Sequence, residues 1–228
     1  MRVRRSALAS IATAATAVLL LAGCGGSPGG SGGKTLEAAW VDEGRAVAVL
    51  IEDSEGCGPI VSSVQAKRQT VTITLDEPAE QKHGCILDII EPARVAMLPK
   101  GVDPKRDVTL VVQHGANTWH AKLRGNPSLA GTPGDDSLRT PTAGWVSDDK
   151  LVLLTWGSSS CHPVVTSTEL TDDGAIVHFA DSPSACTTDL VPRTAVIEFD
   201  GFEGTDAEAF ELSLRGGRAD GRAIVRQG

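Results

Sequence analysis

The chain contains no tyrosine, and its other aromatic residues are four Trp and four Phe among 228 residues. Sites that bind sugars usually stack them on aromatic faces, and aromatic side chains also supply much of the area at binding surfaces in general. The scarcity of these residues argues against a carbohydrate-binding protein.

Positive charge is also scarce, since 21 Lys and Arg stand against 29 Asp and Glu for a formal net charge of −8. Nucleic acid binding requires a basic surface that neutralises phosphates. We therefore expect no nucleic acid partner.

Long apolar runs are absent except for one near the N-terminus. Residues 7–21 carry no charge and follow Arg2, Arg4 and Arg5. A spanning helix needs ~20 apolar residues, whereas a shorter run behind basic residues is typical of a secretory signal peptide. The pattern predicts export and no further membrane span.

The apolar run ends in Leu21-Ala22-Gly23-Cys24, which resembles the lipobox of bacterial lipoproteins. The resemblance implies transfer of a diacylglyceryl group to the thiol of Cys24 and cleavage before that residue. Two acyl chains give stable attachment to membrane lipid. Cleavage removes three Arg and no acidic residue, which leaves 205 residues with a net charge of −11 on the extracytoplasmic face of the cell membrane.

Composition divides the mature chain into segments. Residues 25–33 are Gly and Ser with one Pro, which is typical of a flexible tether. Residues 126–141 are rich in Pro, Gly, Asp and Ser, which indicates a linker. We expect a signal peptide at 1–23, a tether at 24–34, a first repeat at 35–125, a linker at 126–137 and a second repeat at 138–228.

An internal repeat supports these boundaries. Residues 39–45, 54–59, 84–88 and 108–112 match residues 144–150, 158–163, 185–189 and 210–214, at offsets of 105, 104, 101 and 102. Small drifts at loops are what a duplicated unit produces. The two halves are therefore expected to share one fold.

Four cysteines remain after Cys24, and an even number in an exported chain predicts two disulfides. Each repeat carries one early and one late cysteine. If the repeats fold alike, the pairs are Cys57 with Cys85 and Cys161 with Cys186. Each bond would stabilise its repeat by ~3.5 kcal/mol.

The local pattern is that of β-strands. In Thr70–Leu75, Val71, Ile73 and Leu75 alternate with threonines, which predicts a strand with one buried face. No long segment shows a helical stripe, and about seven short strands fit each repeat. We expect an all-β protein of two tandem, disulfide-bonded modules, each a small sandwich or a barrel-like fold.

The second repeat carries a Gly-Ser-Ser-Ser-Cys-x-Pro loop at 157–163 and a Cys-Thr-x-Asp-Leu segment at 186–190. In both it resembles a group of uncharacterised secreted and lipoprotein domains of high-GC Gram-positive bacteria. The first repeat keeps the Cys and Pro of the loop but only one of its three Ser. The resemblance implies architecture and compartment but no activity.

Ser160 and His162 in this loop raise the possibility of a hydrolase, and a triad can assemble from distant residues. The loop lacks a Gly-x-Ser-x-Gly elbow, and the first repeat has Gly58 where His162 stands. The interpretation we favour is a turn in which Ser hydroxyls satisfy backbone groups. We expect no catalytic residue.

Cys and His together also suit Cu or Zn, so an envelope metal-binding or redox protein is a second alternative. His83 and His162 do not recur between the repeats although the cysteines do, which favours disulfides. Asp88 and Asp189 do recur, and an Asp after a turn usually holds backbone donors. We expect no metal and no cofactor.

Trp40 and Trp145 recur within apolar strands and are expected in the core. Trp119 and Trp156 have no aromatic counterpart, so together with His162 they are our candidates for contacts with a partner. The segments that differ between repeats, 156–163 and 114–120, are where we expect binding. The leading hypothesis is a non-catalytic, membrane-anchored module that binds an envelope protein or cell-wall ligand, or supports envelope assembly.

Overall fold

The computed structural model describes residues 36–51, 58–77, 93–183, 185–200, 202 and 210–226. All of them belong to one compact unit, Lys34–Gly228. The predicted signal peptide and the whole predicted tether lie outside the described residues, as do Cys24, Cys57, His83, Cys85 and Asp88. Within the described residues, no helix has the length and apolar character needed to cross a membrane.

The protein is all-β, as predicted, and each half contributes seven strands. The strands of the first half are β1 (Glu37–Val41), β2 (Ala46–Leu50), β3 (Ile60–Lys67), β4 (Thr70–Asp76), β5 (Ala93–Met97), β6 (Val108–His114) and β7 (Asn117–Leu123). Those of the second half are β8 (Thr142–Trp145), β9 (Lys150–Gly157), β10 (Val165–Thr171), β11 (Gly174–Phe179), β12 (Val191–Glu198), β13 (Phe210–Arg215) and β14 (Gly221–Arg226).

The two halves pair their strands in the same order. The first half forms the sheets β1-β2-β5 and β3-β4-β6-β7, and the second half forms the equivalent series β8-β9-β12 and β10-β11-β13-β14. In the second half a short parallel pairing of β14 with β8 joins both series into one seven-stranded sheet. The fourth strand of each half pairs in parallel with the sixth, so the chain crosses to the other series between them.

Alternation of residues decides which face of each strand is buried. Val71, Ile73 and Leu75 of β4 lie in the core of the first half, as the sequence predicts, and the threonines between them face outward. Trp40 also lies in this core. In the second half Trp145 packs against Phe199, Phe202 and Phe210 with ring centroids 5.2–5.8 Å apart. Hydrophobic burial of these side chains is the main stabilising contribution to each half.

The expectation of two tandem modules, each a small sandwich or barrel-like fold, is corrected by a third core between the halves. Strand β9 points Leu151 and Leu153 into the core of the second half and Val152 and Leu154 into a core shared with the first half. Strand β2 contributes Ala46, Ala48 and Leu50 to the same shared core. Because β2 and β9 are apolar on both faces, each needs a covering layer on both sides. The arrangement is thus solenoid-like, in that one half packs on the next.

Close backbone contacts reinforce this junction. A Cβ at Gly144 of β8 would lie 2.2 Å from the carbonyl oxygen of Trp40 in β1, so only glycine fits there. The N–H of Asp42 donates to the hydroxyl of Thr142 at 2.8 Å. Glu43 and Arg226 form a two-pronged ion pair at 3.1–3.3 Å. The halves are therefore held together by packing and by directed polar bonds.

Residues 126–137, expected as a linker, contain no strand, but they pack on the first half. The side chain of Leu129 is buried in the first core, and the N–H of Gly131 donates to the carbonyl of Glu43 at 2.7 Å. The segment therefore contributes to the fold as well as connecting the repeats.

Candidate functional site

Two loops of the second half meet where β9 ends and β12 begins. Gly157 pairs with Val191, so the loop after β9 and the loop before β12 leave the sheet side by side. A disulfide between Cys161 and Cys186 joins them, as the repeat predicts. We call residues 158–163 and 186–190 the polar loop pair.

Hydroxyl groups connect the two loops of the polar loop pair. The hydroxyl of Thr187 lies 2.6, 3.2 and 3.4 Å from those of Ser158, Ser159 and Ser160. The backbone N–H of Thr187 donates to the hydroxyl of Ser160 at 2.9 Å, which closes the network across the two loops. The Ser hydroxyls thus satisfy backbone and side-chain groups, the role that the turn interpretation assigns to them.

Asp189 lies in the second loop and anchors the first loop through a hydrogen bond. Its Oδ1 accepts the backbone N–H of Ser159 at 2.9 Å and the hydroxyl of Thr187. These bonds, the backbone bond from Ser159 first, lower the pKa of Asp189 to about 2. Its role as an acceptor of backbone donors, expected from the sequence, is therefore observed in the second half.

Arg193 supports the loop pair from beneath. Its side chain is 7% exposed, and Nε and Nη2 both donate to the carbonyl of Ser158. Burial lowers the pKa of this guanidinium, and the carboxylate of Asp189 acts in the opposite direction. A guanidinium nevertheless stays protonated in proteins. A buried cation therefore fixes the first residue of the loop.

The same guanidinium controls His162. Nη1 of Arg193 lies 3.1 Å from Nδ1 and 3.3 Å from Nε2 of the exposed His162 ring. Partial desolvation lowers the pKa of His162, and the charge of Arg193 lowers it further. Both effects favour the neutral imidazole, and the positive charge of Arg193 disfavours a second cation beside it.

The hydrolase alternative finds no nucleophile–base pair in the loop pair. The described hydrogen bonds of Ser160 join it to Ser158, Cys161 and Thr187, whereas His162 contacts Arg193. A nucleophile and its base must come within hydrogen-bond reach of one another. The contacts described here fit loop structure better than nucleophilic catalysis.

For the metal alternative, the described part of the chain brings together no group of three or more His, Cys, Asp or Glu. The sulfurs of Cys161 and Cys186 are bonded to each other, so neither is a free thiolate ligand. His83 lies outside the described residues. The second half thus offers a disulfide where the metal alternative needs thiolates.

The tryptophans proposed as contacts are both partly buried. Trp119 on β7 packs against the core of the first half. Trp156 on β9 is partly exposed, but its indole Nε1 is enclosed without a hydrogen-bond partner among the described residues. Apolar side chains nearer to the loops are more accessible, with Val164 58% and Leu190 49% exposed. At its rim, the loop pair therefore exposes Val164 and Leu190 beside the exposed hydroxyl groups.

The second predicted contact segment, 114–120, is the β6–β7 hairpin. Nε2 of His114 lies 2.9 Å from Oε1 of Glu77, and most of the hairpin tip is exposed. None of the bonds described for this hairpin connects it with the polar loop pair.

Sequence reasoning singled out Ser160, His162 and Asp189 but missed Thr187 and Arg193. The signal for Arg193 was present, because it shares a strand face with the buried Ala195 and Ile197. A charged residue on an inward face needs buried partners.

Comparison with family models, with curated protein sequences and with solved structures finds no match for this chain.

Proposed function

We propose that the protein is a non-catalytic binding module, held at the outer face of the cell membrane by lipid on Cys24, and that the polar loop pair contacts its partner. The partner class is an envelope protein or a cell-wall ligand. The observation that carries this proposal is an exposed loop surface that the chain fixes with a disulfide, a buried arginine and hydroxyl bonds. Rigid loops lose little conformational freedom on binding, which favours affinity.

The two halves support the choice of this surface. We infer that they arose by duplication, since their strands pair in the same order. Fold requirements are therefore shared, and a feature of one half alone is free to serve another role. Ser159, Ser160 and Thr187 stand where the first half has Glu55, Gly56 and Ile86.

The anchoring part of the proposal rests on the lipobox resemblance and is tested separately. Replacing Cys24 by Ser should leave the protein unprocessed or release it from a membrane fraction washed with high salt. Replacing Cys57 instead is the matched control, which should stay anchored. A Cys24→Ser protein that is still cleaved before residue 24 and still retained by lipid would contradict the proposal.

Contact through the loop pair is tested by photo-crosslinking in the native envelope. A photoreactive residue replaces Leu190 at the rim or, as a control of similar exposure, Ile224 on β14, which is 45% exposed. We expect a discrete adduct from position 190 only. Excess unlipidated protein should compete for it, whereas a Ser159→Ala/Thr187→Ala variant should compete at least tenfold less well.

Equal adducts from both positions, or equal competition by both proteins, would show that the loop pair is not the binding surface. Thermal unfolding of the double variant shows whether its fold is intact, so that loss of competition reports on contact. An adduct that persists in the Cys24→Ser protein separates partner binding from anchoring.

A further inference from the structure

A groove of about 860 Å³ opens on the first half, between the β3–β4 turn and the loop that precedes β6. Its volume lies within the ~300–1,000 Å³ of small-ligand sites. Polar and charged side chains dominate its lining, among them Lys67, Arg68, Gln69, Asp103 and Arg106. It is separate from the polar loop pair, none of whose residues lines it.

The two walls of this groove are joined by Gln69. Its Nε2 donates to the carbonyl of Asp103 at 2.8 Å, and its Oε1 accepts the N–H of Asp103 at 3.0 Å. The carbonyl of Gln69 also accepts the N–H of Thr109 at 2.8 Å. The turn that carries Arg68 and the loop that carries Arg106 are therefore held in a fixed relation.

Three cations line the groove without counter-ions. Lys67, Arg68 and Arg106 are exposed, and none forms an ion pair within the described part of the chain. Asp103, the acidic residue of the lining, accepts the N–H of Lys105 through Oδ1 at 3.0 Å, and against its single negative charge the three cations leave the lining with a formal charge of +2. Although the chain has a net negative charge, this groove has a local positive potential that attracts anions.

Neither the turn nor the fold requires these cations. Arg68 has a φ of +57°, a conformation that favours Gly, Asn or Asp over arginine. By strand register, Lys67 and Arg68 of the β3–β4 turn are equivalent to Thr171 and Asp172 of the β10–β11 turn in the second half. The turn at this position therefore carries positive charge in one half and negative charge in the other, and Asp172 lacks the positive φ of Arg68.

We propose that the groove binds the phosphate of anionic phospholipid headgroups. Guanidinium and ammonium groups are the side chains that bind phosphate best, and two Arg beside a Lys offer enough donors for its several oxygens. The proposal rests on the lipid anchor: a tether of about eleven residues spans at most ~40 Å, so headgroups are at high local concentration. Basic side chains near such a surface gain from its negative potential.

The test uses the mature chain, residues 24–228, with Cys24→Ser so that no acyl chain contributes. Sedimentation with vesicles of equal parts phosphatidylglycerol and phosphatidylcholine is compared with sedimentation with phosphatidylcholine alone. The groove variant carries Lys67→Gln, Arg68→Gln and Arg106→Gln. The control variant carries Arg139→Gln, Arg215→Gln and Arg218→Gln, which lie on exposed positions elsewhere and change the net charge equally.

We expect binding to the anionic vesicles only, about 100-fold weaker in the groove variant and little changed in the control variant. Absence of binding, or equal losses in the two variants, would overturn the proposal. Binding of inorganic phosphate as tight as that of vesicles would also overturn it, since the ligand would then be a soluble anion. Fractionation of groove variants that keep Cys24 reports on the lipid anchor independently, and thermal unfolding verifies their fold.

Discussion

The two halves of the molecule differ most where the second half has its polar loop pair. Trp40 lies opposite Val47 as Trp145 lies opposite Leu151, and Ala96 and Ile197 continue the register on the next strand. Counting from these pairs, the loop residues Ser159, Ser160, His162, Thr187 and Arg193 correspond to Glu55, Gly56, Gly58, Ile86 and Pro92.

This difference separates what the fold needs from what it carries. Both halves keep the tryptophan of the first strand and the alternating apolar faces, which serve burial. Both also keep the cysteine positions, which form a cross-link in the second half. The first half has different residue types at most positions of the hydroxyl network and at its arginine, and the basic groove lies on the first half. Each half therefore keeps the common fold and bears a different charged or polar surface.

Among the changes that test this comparison, removal of the Cys161–Cys186 disulfide should have the largest effect on stability. Cys161→Ser/Cys186→Ser opens a loop whose ends are 25 residues apart and should lower the free energy of unfolding by about 3.5 kcal/mol. Denaturant titration without reductant measures the loss.

The matched variant, Cys57→Ser/Cys85→Ser, should lose a similar amount if the first half has the bond that the repeat predicts. Peptide mapping under non-reducing conditions should then yield Cys57–Cys85. A bond between Cys57 and Cys186, or no loss from the first-half variant, would show that the halves are not equivalent units.

The second largest effect should come from the junction between the halves. Gly144→Ala places a methyl group against the backbone of Trp40 and should cost about 2.5 kcal/mol through displacement of β8. Gly157→Ala is the control, since its Cβ would meet nothing within 4 Å. Thermal unfolding compares the two, and equal stabilities would argue that the halves do not pack closely.

Much of the fold could be predicted because β periodicity and the repeat are local signals. The alternation of Thr70–Leu75 gives the buried face of β4 correctly. The shared core was missed because a repeat says nothing about contacts between its copies. Its signal lay in the continuous apolar runs of β2 and β9, which have no polar face to expose.

The candidate site was predicted in part. Cys161, Asp189 and the Ser run are visible as motif residues, and the repeat pairs the two cysteines. Thr187 and Arg193 act through the register of β9 with β12, which sets how far each side chain reaches across the loops. How far these side chains reach depends on how the strands pair, and the spacing of residues in the sequence does not reveal it.

Arg193→Gln should have an intermediate effect on stability. It also sharpens the comparison of the two halves, because the first half has no equivalent cation. Loss of the bonds to the carbonyl of Ser158 from a buried position should cost about 2 kcal/mol. The pKa of His162 should rise, since the charge of Arg193 is one of the two causes that lower it. NMR titration of the imidazole measures this shift.

Arg222→Gln is the control, because this exposed cation pairs with Glu211 at 3.4 Å and such surface pairs add little to stability. An unchanged pKa of His162 in the Arg193→Gln protein would mean that the guanidinium does not govern the ring. Loss of stability without a change in the pKa would assign Arg193 a role in packing alone.

The smallest effect should come from Asp189→Asn, and its dependence on pH identifies the cause. The wild-type carboxylate has a folded-state pKa of about 2, below the ordinary value of 3.8, because it accepts bonds from Ser159 and Thr187. A lowered pKa means that the folded state prefers the ionised form, so its contribution is complete well above pH 4 and is lost as pH falls through about 2. The stability difference between the wild type and the variant should therefore be constant near neutrality and shrink in acid. Asp136→Asn, on an exposed position away from the loops, corrects for the loss of one negative charge. If the difference does not change with pH, the carboxylate's charge does not hold the loop, and Asp189 would act there only as a neutral acceptor, a role that asparagine fills equally well.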